Sequence, residues 1–267
     1  MLEIFKRKYE QIQEIRIRCN KNIIVLSGNK EYEDIYADKS YIDSIISYLT
    51  SNSVYAFKEE ITEGYITLKG GIRTGICGKG VVRNGKVEHK KEISSLNIRF
   101  PREVKGCANE IFEKISVPLK NTIIISSPGC GKTTMLRDLS RSFSYSGKNV
   151  CIVDERGEIA PVYNRVCTFD MGPRCDILSS VSKSKGINMV LRAMNPDVIV
   201  VDEIGSEEDA VAVQNALNSG VKVIASFHAF NVEEFRRRFS NYKLFEYAVV
   251  LKKDKGVGEI GETQCLN

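Results

Sequence analysis

The pattern of hydrophobic and polar positions changes character about two fifths of the way along the chain. In the first hundred residues, short stretches alternate apolar with polar positions or space apolar residues three and four apart, as half-buried strands and amphipathic helices do. From residue 104 onward, continuous apolar stretches alternate with segments of helical periodicity, which is typical of a parallel sheet with crossover helices. We therefore predict an α+β domain over residues 1–103 and an α/β domain over residues 104–267, with the boundary near Pro101.

Local signals predict the elements of the first domain. Ser40 is expected to cap a helix with an apolar face, and a second helix is expected from Ser53 to Gly64. Asn84-Gly85 predicts a hairpin turn. The apolar face of the first helix consists of Ile42, Ile45, Ile46 and Leu49. The predicted strands are Glu14–Arg18, Asn22–Ser27, Tyr65–Leu68, Arg73–Val82 and Ser95–Phe100.

The second domain is predicted to contain five buried strands joined by helices. The carboxyl ends of parallel strands share one edge of the sheet, where open α/β sheets bind ligands. The predicted strands are Thr122–Ser126, Asn149–Asp154, Asp197–Asp202, Val221–Ser226 and Tyr247–Lys252. The helices are expected near residues 132–145, 180–194, 206–218 and 231–240.

A phosphate-binding loop is predicted where the first of these strands meets the first helix. Residues 126–133 read SSPGCGKT and fit the P-loop pattern at every position except the first, where Ser126 replaces glycine. Glycines let backbone N–H groups converge on phosphate oxygens, and the helix N-terminus favours the anion. Lys132 is predicted to contact the β- and γ-phosphates of ATP, and the Thr133 hydroxyl to bind Mg²⁺. The other expected nucleotide contacts are Ser127, Pro128, Gly129, Cys130, Gly131 and Thr134.

Ionisable side chains follow three other strands at the same predicted edge. Asp202 is expected to hold the water shell of Mg²⁺, and Glu203 to polarise the attacking water. Asp154 and Glu155 end the strand that lies in sequence between the phosphate-binding loop and the strand of Asp202, and they are also expected to point toward the nucleotide. His228 is a further catalytic candidate. The alternative interpretations are helix caps for the carboxylates and a structural role for the histidine.

These four strand ends, in this order, resemble the type II/IV secretion ATPases. The resemblance implies a RecA-like P-loop NTPase motor domain with a parallel-sheet core, preceded by a smaller α+β domain, and a homo-hexameric ring. It places Glu155 or Glu158 as a water activator in an aspartate box, Asp202-Glu203 in Walker B and His228 in a histidine box.

The same resemblance supplies two candidate arginines and a biological setting. The strand with Arg99 is similar to the one whose arginine reaches the nucleotide from the first domain, and Arg192 precedes Walker B. Segments such as YITLKGGIRTGICGKGVV and LRAMNPDVIVVDEIG resemble a sporulation branch of the superfamily. That branch implies an ATPase that powers or assembles a secretion-like transenvelope channel during endospore formation. Its expected partners are integral-membrane channel components, and its expected position is peripheral, on the mother-cell side.

Composition narrows the choice of function. The 267 residues carry a net charge of only +5 and no tryptophan, so we expect no nucleic-acid partner. The eight cysteines include no C-x-x-C pair, which favours reduced thiols over zinc or disulfides. Without a signal peptide or an apolar run of about 18 residues, the chain is predicted to be cytoplasmic. A RecA-type nucleic-acid motor and a nucleotide-binding scaffold with negligible turnover remain as alternatives.

Overall fold

The computed structural model describes residues 2–10, 12–28, 30–50, 53, 57–68, 71–83, 86–101, 103–163, 165–253 and 258–266. The chain divides into two compact units, Met1–Arg102 and Glu103–Asn267. The first contains an antiparallel sheet, and the second a mostly parallel sheet with helices between its strands. The α/β fold class predicted from the sequence is confirmed.

The first unit is a six-stranded sheet whose buried face packs with helices into one apolar core. Its elements are α1 (Leu2–Lys8), β1 (Ile12–Arg18), β2 (Lys21–Ser27), β3 (Lys30–Ala37), α2 (Lys39–Leu49), α3 (Lys58–Glu63), β4 (Tyr65–Leu68), β5 (Ile72–Arg83) and β6 (Lys86–Arg99). The strands lie in the order β3-β2-β1-β6-β5-β4, and each pairs antiparallel with its neighbours.

Helix starts in this unit differ from the predictions. Asp38, not Ser40, caps α2, because its carboxylate accepts from the Tyr41 amide at 2.7 Å while the Ser40 hydroxyl donates to the same oxygen. The four predicted apolar positions of α2 are buried, as expected. The helix predicted from Ser53 begins at Lys58 and ends at Gly64, whose φ of 97° needs no Cβ. The predicted turn at Asn84-Gly85 lies outside the described residues.

The second unit is built on a seven-stranded sheet in the order β11-β8-β12-β13-β7-β14-β15. Its elements are α4 (Asn109–Ser116), β7 (Thr122–Ser126), α5 (Lys132–Tyr145), β8 (Val150–Asp154), β9 (Val162–Tyr163), β10 (Val166–Cys167), β11 (Cys175–Ser179), α6 (Lys183–Ala193), β12 (Val198–Val201), α7 (Glu207–Asn218), β13 (Lys222–His228), α8 (Val232–Arg238), β14 (Tyr247–Lys252) and β15 (Glu259–Cys265). All neighbours in this sheet pair in parallel except β14 and β15.

Two apolar cores, one on each face, explain why the central strands are continuously hydrophobic. Successive residues of β7 enter opposite cores, with Ile123 and Ile125 on one side and Ile124 on the other. Strands covered on both faces cannot alternate apolar with polar residues. This burial fixes the sheet edge at which β7, β8, β12 and β13 end, and that edge carries the polar residues considered below.

The described part of the chain contains no membrane-spanning helix and no disulfide bond. No described helix combines the length and apolar character needed to cross a bilayer. All eight cysteines are free thiols, and the described residues contain no cluster of three or more metal-binding side chains. Burial raises the pKa of the Cys107 thiol to about 12. A thiol with so high a pKa stays protonated and unreactive at neutral pH.

Candidate functional site

The loop between β7 and α5 is shaped by two glycines. Gly129 and Gly131 have φ of 76° and 96°, a left-handed conformation that a residue with a Cβ rarely adopts. Ser126, which replaces the pattern's first glycine, is the last residue of β7 and is buried. Its hydroxyl donates to the Ser127 carbonyl at 2.8 Å. The loop therefore needs glycine at positions 129 and 131, and it accommodates serine at 126.

Lys132 is folded back into this loop. Its side chain is only 5% exposed, and Nζ donates to the carbonyls of Ser126 at 3.3 Å and Ser127 at 3.4 Å. The same ammonium lies 2.9 Å from Nδ1 of His228. Burial lowers the Lys132 pKa, and the carboxylates of Asp202 and Glu203 partly oppose the shift. The loop thus holds a desolvated cation in place with weak, exchangeable contacts.

Thr133, the next residue of α5, contacts the end of β12. Its hydroxyl donates to Oδ2 of Asp202 at 2.8 Å. The other carboxylate oxygen accepts from the Ser226 hydroxyl, and Ser226 Oγ in turn accepts from the Glu203 amide at 2.9 Å. A hydroxyl and a carboxylate side by side form the kind of oxygen donor set that Mg²⁺ takes with nucleotide phosphates. The residues present therefore fit a Mg²⁺ ion.

His228 connects the loop lysine to Glu203. Its Nε2 lies 2.6 Å from Oε1 of Glu203, and Arg156 Nη1 lies 2.9 Å from Oε2. Because an ammonium only donates, Nδ1 of His228 is an acceptor, and the proton of the neutral ring is on Nε2. Burial of Glu203 raises its pKa, but the hydrogen bond with His228 and the charges of Arg156 and Lys132 act in the opposite direction, and the pKa is lowered overall.

Glu203 also has an unusual backbone conformation. Its φ of 51° is left-handed, which costs a residue with a side chain about 1 kcal/mol or more. The Ser226 hydroxyl fixes the Glu203 amide, and the Ser226 carbonyl accepts from the Ile204 amide at 3.0 Å. Strand β13 therefore holds this turn in the orientation that brings Glu203 to His228.

Asp154, the carboxylate at the end of β8, binds backbone amides and not the side chains of the cluster described above. Asp154 is buried, and its two oxygens accept from the amides of Glu158 at 2.9 Å and Ala160 at 2.8 Å. Burial raises the Asp154 pKa, and these amides oppose the rise. The buried Arg137 donates to the carbonyls of Glu158 at 2.7 Å and Ile159 at 2.6 Å. Asp154 was expected to point toward the nucleotide, but its carboxylate is engaged in holding the segment that follows β8.

Glu155 pairs with Lys183 across a cleft at this sheet edge. The Glu155 carboxylate accepts from Lys183 Nζ at 2.8 Å, at the first residue of α6. This cleft lies between the adjacent carboxylates Asp154-Glu155 and Asp202-Glu203. Its lining residues are Val153, Asp154, Glu155, Arg156, Glu158, Lys183, Asp202 and Glu203. Arg156 and Lys183 therefore add two cations from other elements to Lys132, the lysine that the loop motif predicts.

The remaining loop residues lie around the lysine. Cys130 is buried with Sγ 3.1 Å from the Ser127 hydroxyl, and its carbonyl accepts from the Gly258 amide at 2.8 Å. Pro128 and Gly129 are exposed, and Thr134 is half-buried in the first turn of α5. Gly258 immediately precedes β15, so the last hairpin of the sheet is hydrogen-bonded to the phosphate loop.

The two candidate arginines lie on different units, and Arg192, on the same unit as this cluster, is not part of it. Arg192 is exposed in the last turn of α6, about 14 Å along the helix from Lys183 at 1.5 Å per residue. Arg99 is exposed on β6 of the first unit, where its cross-strand neighbours are Glu14 and Arg73. The structure thus brings together Lys132, Thr133, Asp202, Glu203 and His228, with Glu155 across the cleft.

Four residues of the site were not predicted from the sequence: Ser226, Arg156, Lys183 and Arg137. For two of them, Ser226 and Arg137, the sequence contains a usable signal. Ser226 is polar within a buried strand, and Arg137 lies among buried positions of α5. The pairing of Arg156 with Glu203 and of Lys183 with Glu155 depends on which strands are neighbours. The sequence pattern alone does not supply that information.

Comparison with known proteins shows the family to which this chain is related. The sequence profile described as "Sporulation stage III, protein AA" matches residues 1–264. The chain is 35% identical over 272 residues to "Stage III sporulation protein AA" of Bacillus subtilis (strain 168), covering 97% of this chain and 89% of that protein. It is 30% identical over 141 residues to "Uncharacterized protein ycf45" of Cyanidium caldarium, covering 51% of this chain and 41% of that one.

Solved structures share the fold at low sequence identity. The ATPase DotB of Yersinia pseudotuberculosis is similar with a TM-score of 0.66 at 15% identity, covering 100% of this chain and 78% of that one. The pilus retraction motor PilT, solved with bound ADP, is similar with a TM-score of 0.68 at 15% identity, covering 100% and 83%. At these identities the likeness concerns the fold.

Proposed function

The chain belongs to the family "Sporulation stage III, protein AA", and we propose that it is an ATP hydrolase that powers or assembles a transenvelope channel during endospore formation. One observation carries the enzymatic part of this proposal. The loop lysine, the hydroxyl after it and the Asp-Glu pair of β12 form one hydrogen-bonded cluster through His228. Each member has the chemistry that phosphoryl transfer needs at that place.

Nucleotide binding requires this cluster to exchange its internal partners. Phosphate oxygens are stronger acceptors than the loop carbonyls, so the Lys132 ammonium would turn from Ser126 and Ser127 to the β- and γ-phosphates. Thr133 and Asp202 would hold Mg²⁺, which neutralises phosphate charge. The amides at the start of α5 would be available to the phosphates, since no side chain caps this helix.

Hydrolysis requires a carboxylate that takes a proton from the attacking water. We assign this role to Glu203, because it shares His228 with the phosphate-binding lysine and its lowered pKa keeps it ionised at neutral pH. Arg156 holds its second oxygen and would have to release it, or move with it, when water enters. Glu155 is the second candidate, since Lys183 orients it toward the same cleft.

Assembly and partners form the less direct part of the proposal. We propose a homo-hexamer in which Arg99 or Arg192 completes a nucleotide site, and integral-membrane channel components as partners. Both arginines are exposed and therefore free to meet a second chain or a nucleotide. The likeness in fold to the DotB ATPase and to the PilT retraction motor supports a motor of this kind.

The test is steady-state phosphate release by the purified full chain with Mg-ATP over a range of protein concentrations, because rings assemble by mass action. Lys132→Ala should weaken ATP binding by about 10- to 150-fold, the value of one or two charge-assisted hydrogen bonds. Turnover should fall with binding. Lys185→Ala is the matched control, since that lysine is exposed on α6.

Each alternative function predicts a different result. A nucleotide-binding scaffold would bind ATP with the same dependence on Lys132 and release no phosphate at any protein concentration. A RecA-type motor would turn over faster with DNA or RNA added. Wild-type turnover in Lys132→Ala, at unchanged circular dichroism, would remove the P-loop from the proposal.

A further inference from the structure

The hairpin formed by β5 and β6 extends beyond the rest of its sheet. Strand β1 pairs with β6 only at residues 95–99, and β4 pairs with β5 only at residues 72–75. From Lys79 to Arg83 and from Lys86 to Lys91, the two strands pair with each other and with no other described strand. These two stretches are called the arm below.

A bulge separates the arm from the sheet. Cys77 pairs with Ser95 and Lys79 with Lys91, so β6 has two more residues than β5 between these pairs. Glu92 in the bulge has a φ of 49°. A Cβ on Gly78 would lie 2.8 Å from the Ile93 Cα, so only glycine lets the backbones approach this closely. Such bulges bend a strand and re-aim its side chains.

The arm carries an excess of positive charge. Residues 79–91 contain five Lys or Arg (Lys79, Arg83, Lys86, Lys90 and Lys91) and one acid, Glu88. Ile72, Thr74 and Ile76 of β5 enter the core, so alternation places Lys79 and Arg83 on the face away from it. Lys91 shares that face as the partner of Lys79. All three are exposed, and Arg83 has a distant pairing with Glu88 at 3.7 Å.

An apolar pair lies near the tip of the arm. Val82 and Val87 are cross-strand partners and are 62% and 43% exposed. Alternation along β5 places Val82, and with it Val87, on the face opposite Lys79 and Arg83, and an apolar pair on one face with cations on the other is the composition of interfacial segments. No aromatic residue occurs between positions 79 and 91, so the arm has no platform for stacking bases.

We propose that the arm docks on an anionic phospholipid surface, with Lys79, Arg83 and Lys91 on the headgroups and Val82 and Val87 at the acyl boundary. None of these five residues belongs to the candidate nucleotide site. The charge favours an acidic partner, and the exposed valines favour a bilayer over a nucleic-acid backbone. The chain would then reach a membrane directly, without a spanning helix in its described part.

The experiment is co-sedimentation of the full chain, without nucleotide, with vesicles that mix phosphatidylserine and phosphatidylcholine or contain phosphatidylcholine alone. Each cation near an anionic bilayer is worth about fivefold in binding, so Lys79→Gln/Arg83→Gln/Lys91→Gln should bind on the order of 100-fold more weakly. Arg83→Gln alone should lose about fivefold. Val82→Ser/Val87→Ser should weaken binding with an unchanged salt dependence, because it removes no charge.

The matched control, Lys114→Gln/Lys185→Gln/Lys243→Gln, removes the same charge from exposed positions of the second unit and should bind like wild type. Equal losses in the control and the arm variant would overturn the proposal, since net charge alone would then govern binding. Equal binding to uncharged vesicles would also overturn it. So would duplex DNA that binds the arm more tightly than the anionic vesicles do, which would make the arm a nucleic-acid surface. Thermal unfolding at the wild-type temperature verifies that each variant is folded.

Discussion

Strands β8 and β12 are neighbours in the sheet, and each leads into the same three residues, Val-Asp-Glu, with Val153 and Val201 in register. At the end of β8, Asp154 accepts from two backbone amides and Glu155 pairs with Lys183. At the end of β12, Asp202 accepts from the hydroxyls of Thr133 and Ser226, and Glu203 from His228 and Arg156.

The difference lies in the groups that surround each carboxylate. Backbone amides of its own segment fix Asp154, and no ligand can replace them without unfolding that segment. Side chains from other elements surround Asp202, and rotation of a hydroxyl is enough to release it. Identical strand endings therefore serve as a structural brace in one place and as a ligand site in the other.

The largest expected effect concerns the two glutamates. Glu203→Gln keeps the size of the side chain and removes its basicity, so turnover should fall by about 10²–10⁴-fold, with ATP affinity nearly unchanged. Glu155→Gln, the matched change on β8, should keep most of the turnover. Single-turnover phosphate release, measured beside equilibrium ATP binding, separates the two steps. The reverse order of effects would transfer the role of base to Glu155.

The two aspartates should differ in stability. Asp154→Ala would leave one buried and one partly buried amide unsatisfied and remove a carboxylate whose charge acts on Arg137, which should lower the free energy of unfolding by about 2–5 kcal/mol. Asp202→Ala should lower it by about 1 kcal/mol or less, because hydroxyls can find other partners. Only Asp202→Ala should abolish the Mg²⁺ dependence of ATP binding. Urea unfolding measures the first difference, and comparable losses in both variants would contradict the comparison.

The smallest expected effect is on pH dependence. Because burial lowers the Lys132 pKa, ATP affinity should begin to fall at a lower pH than for an ordinary lysine. The ammonium is lost as pH rises, so the fall is at most about tenfold per pH unit. Titration of ATP binding from neutral to alkaline pH measures it. Lys132→Ala should show weak binding without this slope, and an identical slope in that variant would assign it to another group.

The strands that the sequence could predict include those buried on both faces and also β1, β2, β4 and β5 of the first unit, which have one buried face. Continuous apolar stretches predicted β7, β8 and β12. Gly129 and Gly131, followed by Lys132, predicted the turn into α5. The edge strands β3, β11 and β15 have at most one fully buried position each, so no regular hydrophobic pattern indicated them. The short helices α1 and α4 were missed for a similar reason, as each buries few residues.

The site was predictable where its residues are adjacent in sequence. Lys132 and Thr133 lie within one motif, and Asp202 and Glu203 end one strand. Arg156 and Lys183 contact carboxylates 47 and 28 positions away, and such pairs depend on the order of the strands. The burial of Asp154 could not be inferred either, because it depends on how the segment after β8 folds back onto its own carboxylate.

The hydrogen bond from the Gly258 amide to the Cys130 carbonyl has a consequence for the orientation of one peptide plane. The Cys130 carbonyl and the Gly131 N–H belong to the same planar trans peptide, so they point in opposite directions. Pinning the oxygen against the last hairpin fixes the rotation of the plane and aims the Gly131 N–H away from that hairpin. An accepted hydrogen bond also polarises the peptide and makes its N–H a stronger donor. The hairpin that closes the sheet thereby sets the direction of one dipole in the phosphate loop before any ligand arrives.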